Sequence, residues 1–371
     1  MATILLTGVT GAVGSSLAPL LKERGHKLIC LIRGDNPVVR LQKVLGCADD
    51  IVVFNGDVTQ WNLGVCDCKA RLWKAKIDKV IHCASSIKFD EALAKEITCV
   101  NVCGTGNVLD FAREMEIPEV HHVSTAYVAG NAEAFGENDL DVGQTCRNVY
   151  ERTKLEAEKL VKNWRHGRYS IYRLGIVVGD TDTGYTSSFN GFYVFAGRYW
   201  QFRQSFACKC AGLEKYKANG IGFNPDGMLR LPILGNFSPT STLNIVPIDW
   251  VVKAVSDLAE LPAEGKVFHV VHPHPPKVRW LNDIALPHLG ITGFRYGSST
   301  DYDPSSLLGR FQRIFDRGVA PYIPYITHET RFETLNMPCV LGEDYTPPPE
   351  VDEAFVTRLL DYGKSVDFGN K

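Results

Sequence analysis

Thr7-Gly8-Val9-Thr10-Gly11-Ala12-Val13-Gly14 follows the short apolar run Ile4-Leu5-Leu6. It opens a stretch with helical spacing, in which Leu17, Leu20 and Leu21 fall within residues 13–24. No other feature constrains the fold as much. Gly8 allows a tight turn. Gly11 lets the backbone approach a pyrophosphate, and Gly14 lets helix and strand pack closely. The helix N-terminus presents N–H groups and the positive end of its dipole to the phosphates, with Thr10, Ala12 and Val13 completing the cradle. A glycine pattern alone is weak. Its place after a strand, before a helix and at the head of a βαβ run gives it meaning.

The first half keeps alternating. Strands are predicted over residues 4–6, 27–32, 51–54, 80–82, 120–124 and 170–176, with helices over 13–24, 38–45, 98–115 and 150–164. Strands separated by helices predict an α/β fold, a Rossmann-type doubly wound parallel sheet. After Gly179 the composition shifts, and residues 180–245 are rich in aromatics, glycine and turn formers. A strand-to-helix unit returns over 244–258, then a strand over 267–271 and helices over 280–289 and 351–362. The expected division is a dinucleotide-binding domain over 1–180 with returning elements at about 244–272. A smaller substrate-binding region takes 181–243 and 273–371.

Cofactor choice is read at the end of the second strand, Leu31-Ile32-Arg33-Gly34. An NAD site usually places an acid there, about 20 residues into the motif, for the ribose hydroxyls. Asp35 falls after the glycine, whereas Arg33 offers a cationic fork suited to a 2′-phosphate and Arg40 a second contact. NADP(H) is the expected cofactor. Asp57-Val58 after the third strand flank the adenine position, and Ala84-Ser85 after the fourth leave room for the cofactor. Tyr150-x-x-x-Lys154 shares one face of a predicted helix. A lysine ammonium beside a tyrosine hydroxyl favours the phenolate and lowers its pKa. Ser124-Thr125, upstream at the end of the fifth strand, supplies a hydroxyl to orient a carbonyl oxygen.

Bulk properties exclude other classes. Forty basic and forty-two acidic residues among 371 give a net charge of -2, which argues against a nucleic-acid partner. No apolar run reaches about 18 residues, so no transmembrane segment is read. Residues 2–6 run straight into Thr7-Gly8 without a secretory signal, so the expected location is cytoplasmic. Eleven cysteines are an odd number. The Cys66-x-Cys68 and Cys208-x-Cys210 spacings are too short for common zinc knuckles, and His121-His122 and His272-x-His274 lack matching pairs. Free thiols in a reducing compartment and no metal site are expected.

The glycine pattern, the hydroxyl pair and Tyr150-x-x-x-Lys154 resemble the extended short-chain dehydrogenase/reductases. Four further stretches, His82-Cys83-Ala84-Ser85-Ser86, Asn101-Val102-x-Gly104-Thr105, Val123-Ser124-Thr125-Ala126-Tyr127 and Tyr172-Arg173-Leu174-Gly175, are similar to the thioester reductase and fatty acyl-CoA reductase branch, the male-sterility type. So is Asn244-Ile245-Val246-Pro247. The resemblance implies Thr125, Tyr150 and Lys154 as catalytic residues, with Ser124 as the alternative hydroxyl. It also implies Asn101 as a support of the active-site helix. Leu174 stands where the family usually has proline. The implied reaction is NADPH-dependent reduction of an acyl thioester, on coenzyme A or an acyl carrier protein, to an aldehyde, and to an alcohol after a second hydride transfer. The alternatives are another extended enzyme acting on a sugar nucleotide or ketone, and a non-enzymatic NADP sensor.

Two points stay open in the sequence. Phe189, Phe192, Tyr193, Phe195, Tyr199, Trp200 and Phe202 fit either an acyl-binding or membrane-touching lid or a core of their own. Arg198, Arg203, Lys209, Lys215 and Lys217 fit either the phosphates of coenzyme A or an acidic carrier, or a solvated face. With the first strand starting at about residue 3, the expectation is a stand-alone reductase receiving an already activated acyl group.

Overall fold

Strand β1 (Thr3–Thr7) carries Ile4, Leu5 and Leu6, none of them reached by solvent. A strand apolar on both faces belongs inside a parallel sheet covered on both sides. The computed structural model, which describes residues 1–46, 50–207, 214–217, 219–235, 238, 240–297, 302–328 and 330–370, builds that sheet. Its other strands are β2 (Lys27–Ile32), β3 (Ile51–Asn55), β4 (Lys79–His82), β5 (Glu119–Thr125), β6 (Arg168–Leu174) and β7 (Lys266–Val270), in spatial order β7-β6-β5-β4-β1-β2-β3. Every pairing is parallel, with Leu5 opposite Ile29 on one side and Val80 on the other. The direction of winding reverses between β1 and β4, which opens a crevice at the carboxyl ends of the strands.

Helices close both faces. They include α1 (Ala12–Glu23), α2 (Pro37–Leu45), α3 (Gly104–Glu114) and α4 (Val149–Asn163). Leu5, Ile29, Phe54, Val80, Val120 and Ile171 from the strands meet Val108 and Phe111 of α3 and Val161 of α4 in one core. Each such side chain, fully buried, contributes about 1.5–3 kcal/mol. The single helix expected over 98–115 is broken by a π turn at Cys99–Cys103, in which Asn101 is buried. Such turns inside helices often mark functional sites.

The chain divides into two compact units. The first comprises Met1–Val177, Ile248–Pro273 and Thr330–Pro348, and the second Val178–Pro247, His274–Glu329 and Pro349–Lys371. The first unit thus takes in 330–348, which the sequence reading placed with the substrate region. Arg331–Phe332 pairs in parallel with Ala134–Phe135. The buried Glu137 carboxylate accepts the N–H groups of His269 (2.9 Å), Leu335 (3.1 Å) and Asn336 (2.7 Å).

The second unit contains α5 (Phe192–Ala207), α6 (Val278–His288), α7 (Leu307–Val319) and α8 (Glu353–Ser365). The aromatic stretch is its core. Tyr199 stacks on Phe315 with centroids 5.5 Å apart, and Phe202 and Phe206 meet Phe311. Phe189 stacks on Tyr362, and Tyr193 Oη accepts the Gly179 N–H at 2.9 Å. Among the basic residues singled out there, Arg198 bonds Gln201 and Arg203 bonds the Gly227 carbonyl, while Lys217 is exposed. Lys209, the Cys208-x-Cys210 pair and the side chain of Lys215 lie outside the described residues.

Candidate active site

The crevice forms a cleft of about 380 Å³ in the first unit. Gly8, Thr10 and Gly11 line it after β1, Arg33 after β2, Asp57 and Val58 after β3, and Ala84 and Ser85 after β4. Ala12, Val13 and Gly14 form the first turn of α1, whose N-cap Gly11 has no side chain to satisfy the free N–H groups. Gly8 has φ +73°, and a Cβ there would lie 2.5 Å from Ala84 N. A Cβ at Gly14 would lie 2.3 Å from the Gly8 carbonyl oxygen. Backbone packed that closely around unpaired N–H donors fits a dinucleotide pyrophosphate.

Arg33 stands where β2 opens into this cleft. Its Nη1 is 3.9 Å from Asp57 Oδ2, and two thirds of its side chain is exposed. Arg40 donates through Nη1 to the Arg33 carbonyl, so both cations sit at the same corner. Asp57 Oδ1 accepts the N–H and hydroxyl of Thr59, each at 2.9 Å. The Val58 side chain belongs to the core, and its carbonyl accepts from Asn107 at 2.7 Å.

The second cluster lies where β5 ends against α4. Asn148 caps α4 by accepting the Glu151 N–H at 3.0 Å, and Glu151 reaches back to the Arg147 N–H at 2.7 Å. This places Tyr150 in the first turn and Lys154 one turn further on. The Tyr150 hydroxyl is close enough to Thr125 for that side chain to pull its pKa down against burial. Thr125 Oγ1 also accepts the Tyr127 N–H at 3.2 Å and donates to the Leu174 carbonyl at 3.4 Å. Phe89 lies beside the Tyr150 ring, with centroids 5.8 Å apart. Ser124 is spoken for: its hydroxyl donates to Glu158 Oε1 at 2.5 Å, and Glu158 is ion-paired with Arg173 at 2.8 Å.

Asn101 ties the two clusters together. Its Oδ1 accepts the Ser86 N–H at 2.7 Å and the Ser85 hydroxyl at 3.1 Å, while Nδ2 donates to Thr153 Oγ1 at 3.0 Å. The loop after β4 is thereby fixed to the turn of α4 between Tyr150 and Lys154.

Lys154 departs from the expected arrangement. Its ammonium donates to the Val123 carbonyl at 2.8 Å and to His122 Nε2 at 3.3 Å. Burial pushes the lysine down to about 8, against the pull of the Glu158 carboxylate. Burial also pushes the Tyr150 phenol up to about 12, and the Thr125 side chain opposes it. The lysine was expected to lower that pKa; facing β5, it is not among the groups that shift it. Its charge instead reaches His82, which burial holds at about 3, and Cys83, which burial raises to about 12. His122 and His82, with ring centroids 5.3 Å apart, form a neutral floor under the lysine. Sequence reading weighed His121-His122 only as a metal pair. The i,i+4 relation of Lys154 to Glu158 was the available signal for the carboxylate.

A parallel sheet with this strand order and a glycine turn at its switch point is a Rossmann-type nucleotide-binding fold, and the family and the structural neighbours of the chain are NAD(P)-dependent oxidoreductases of the extended short-chain dehydrogenase/reductase class. The chain belongs to the male sterility protein family, whose model matches residues 6–255. Peramine synthetase ppzA of Metarhizium majus is 25% identical over 267 residues, 66% of this chain and 9% of that protein. Fatty acyl-CoA reductase 1 of Xenopus laevis is 28% identical over 154 residues, 36% of this chain and 30% of its own length. The chain therefore spans only a small part of these curated relatives. The crystal structure of the terminal R domain from the myxalamid PKS-NRPS biosynthetic pathway superposes with a TM-score of 0.75 at 22% identity, covering 99% of this chain and 92% of that one. No described helix is long and apolar enough to cross a membrane.

Proposed function

We propose that the chain reduces acyl thioesters borne on a phosphopantetheine arm, of a carrier protein or of coenzyme A, to aldehydes with NADPH as reductant. The Thr125–Tyr150 hydroxyl pair carries this reading. It offers two adjacent O–H groups to one carbonyl oxygen in a family whose relatives include a peptide synthetase and a fatty acyl-CoA reductase. The α1 N-terminus and Gly11 would hold the pyrophosphate, and Arg33 with Arg40 the 2′-phosphate. When bound, the nicotinamide supplies the hydride to the thioester carbon.

The protein's part is position and charge. Thr125 and Tyr150 hydrogen-bond the carbonyl oxygen, and those bonds strengthen as it gains negative charge. Tyr150, protonated throughout the neutral range, donates its proton to that oxygen. The resulting hemithioacetal breaks its C–S bond, giving aldehyde and free thiol with one proton and one hydride consumed. A second reduction of the aldehyde gives the alcohol. Lys154 keeps the buried end of α4 positive and, through Val123, fixes the strand that carries Thr125. The described cysteines are free thiols, in keeping with a cytosolic, reducing setting.

NADPH oxidation, with aldehyde trapped as a hydrazone, tests the reading across octanoyl, palmitoyl and aminoacyl thioesters. Thioester-dependent oxidation that Tyr150→Phe abolishes is expected. No thioester turnover, with reduction of simple ketones or conversion of a sugar nucleotide instead, overturns it.

A further inference from the structure

We propose that the outward face of α7 is the docking surface for an acidic carrier protein, an inference that rests on the carrier-borne substrate proposed above. The inward face of α7 is fully committed. Ser306 caps the helix by accepting the Gly309 N–H at 3.0 Å. The buried Gln312 side chain brackets Leu234, accepting its N–H and donating to its carbonyl, both at 2.8 Å. Phe315 lies on Tyr199, and Phe311 on Phe202 and Phe206. These contacts fix which side of the helix faces water.

That side holds Arg310, Arg313, Ile314 and Arg317, all exposed. Their spacing of three, one and three residues forms a single stripe, about 10 Å long. Among the described residues, no carboxylate lies within ion-pair distance of the three guanidinium groups. The nearest acid in sequence, Asp316, accepts from Gln312 at 2.8 Å. Like charges one turn apart destabilise an isolated helix, so the stripe costs stability unless a partner neutralises it. The chain as a whole has a net charge of -2, so this is a local excess.

The pattern fits a protein better than a lipid surface. Ile314, 58% exposed, is a single apolar residue ringed by arginines, a small version of the apolar centre and charged rim of a protein interface. A membrane-lying helix needs a broad outward apolar face, and the apolar face of α7 is already buried within its own unit. Arginine forks match carboxylates in pairs, so the complementary surface is a helix with acidic side chains one turn apart.

The test uses the full chain and two independent readouts. In the first, fluorescently labelled acyl carrier proteins of graded acidity, each loaded with an octanoyl-phosphopantetheine arm, are titrated against wild type, R310E/R313E and I314E. In the second, kcat/KM is compared for octanoyl-carrier and octanoyl-pantetheine. Binding should tighten with carrier acidity and weaken at least tenfold in both variants, with a salt dependence that the charge reversal flattens. KM for the carrier substrate should rise about as much, with kcat and the pantetheine reaction unchanged. Unchanged carrier binding in both variants overturns the docking surface. So does an equal loss on pantetheine. If wild type binds carriers through the stripe but reduces neither thioester, the docking surface stands and the proposed reaction falls.

Discussion

Ser124 donates to Glu158 at 2.5 Å, and both residues are buried. Glu158 accepts in turn from Arg173, itself fully buried, which also donates to the carbonyls of Gly136 and Asp139. One of two adjacent hydroxyls at the end of β5 is therefore locked into a buried ion pair, while the next, Thr125, holds only a long 3.4 Å bond to the Leu174 carbonyl and a cap to the Tyr127 N–H on the Tyr150 side.

This division separates two substitutions of similar size. Thr125→Ala removes a donor to the developing oxyanion and should lower kcat by about 10²–10³, with about 0.5–2 kcal/mol of stability lost from its cap to the Tyr127 N–H. Ser124→Ala removes a partner from the buried Glu158 carboxylate and should cost about 1–3 kcal/mol of stability, with most activity kept. Steady-state kinetics and denaturant melts of both variants check the assignment. Equal activity losses would reverse the two roles.

Lys154 gives the reaction a pH limit. Reduction should be level through neutral pH and decline above about 8, where the lysine loses its proton; Tyr150, at about 12, stays protonated. The stability effect has a definite sign. Between about 8 and 10.5 the unfolded chain holds more proton at this site than the folded one, so its contribution to stability rises with pH across that window. Lys154→Met should lose this rise as well as the alkaline limb, as read from melts at stepped pH.

Arg33→Ala should raise KM for NADPH by about 10- to 100-fold, the loss of one charge-assisted contact, and leave KM for NADH nearly unchanged. Isothermal titration with both cofactors measures the ratio. An unaltered preference would move the 2′-phosphate elsewhere.

Gly14→Ala places a methyl 2.3 Å from the Gly8 carbonyl oxygen, where only backbone can yield. Overpacking of this kind costs about 1–3 kcal/mol, and the distorted turn should abolish nucleotide binding. At Gly11 the nearest atom is 3.3 Å away, so Gly11→Ala should fold normally and lose affinity alone. Nucleotide titration alongside melting curves separates the two cases.

The alternation of apolar runs and helical spacing made the sheet readable, because each parallel strand advertises its burial in its own residues. Tyr150 and Lys154 were readable from one helical turn, and the glycine cradle from its place after β1. Other parts depend on distant chain. Glu158 meets Ser124 across the α4–β5 contact, and His122 meets Lys154 only because β5 and α4 pack with those residues level. The π turn at Asn101 leaves no specific local signature: Cys-Val-Asn-Val-Cys is a run of poor helix formers, which weakens a helix without specifying a π turn. The pairing of Arg331–Phe332 with Ala134–Phe135 joins an irregular tail to a two-residue strand, too short for periodicity to register.

The three-part makeup of the first unit bears on how the protein is born. Glu137 stays an unsatisfied anion until the N–H groups of Leu335 and Asn336 have been synthesised. At about 5–20 residues per second, the ribosome delivers them many seconds after the glycine turn has emerged. The nucleotide-binding half, although it begins first in the chain, thus cannot close until residue 336 has emerged. A nascent chain stalled before residue 335 should expose that half to proteases, however complete its central sheet.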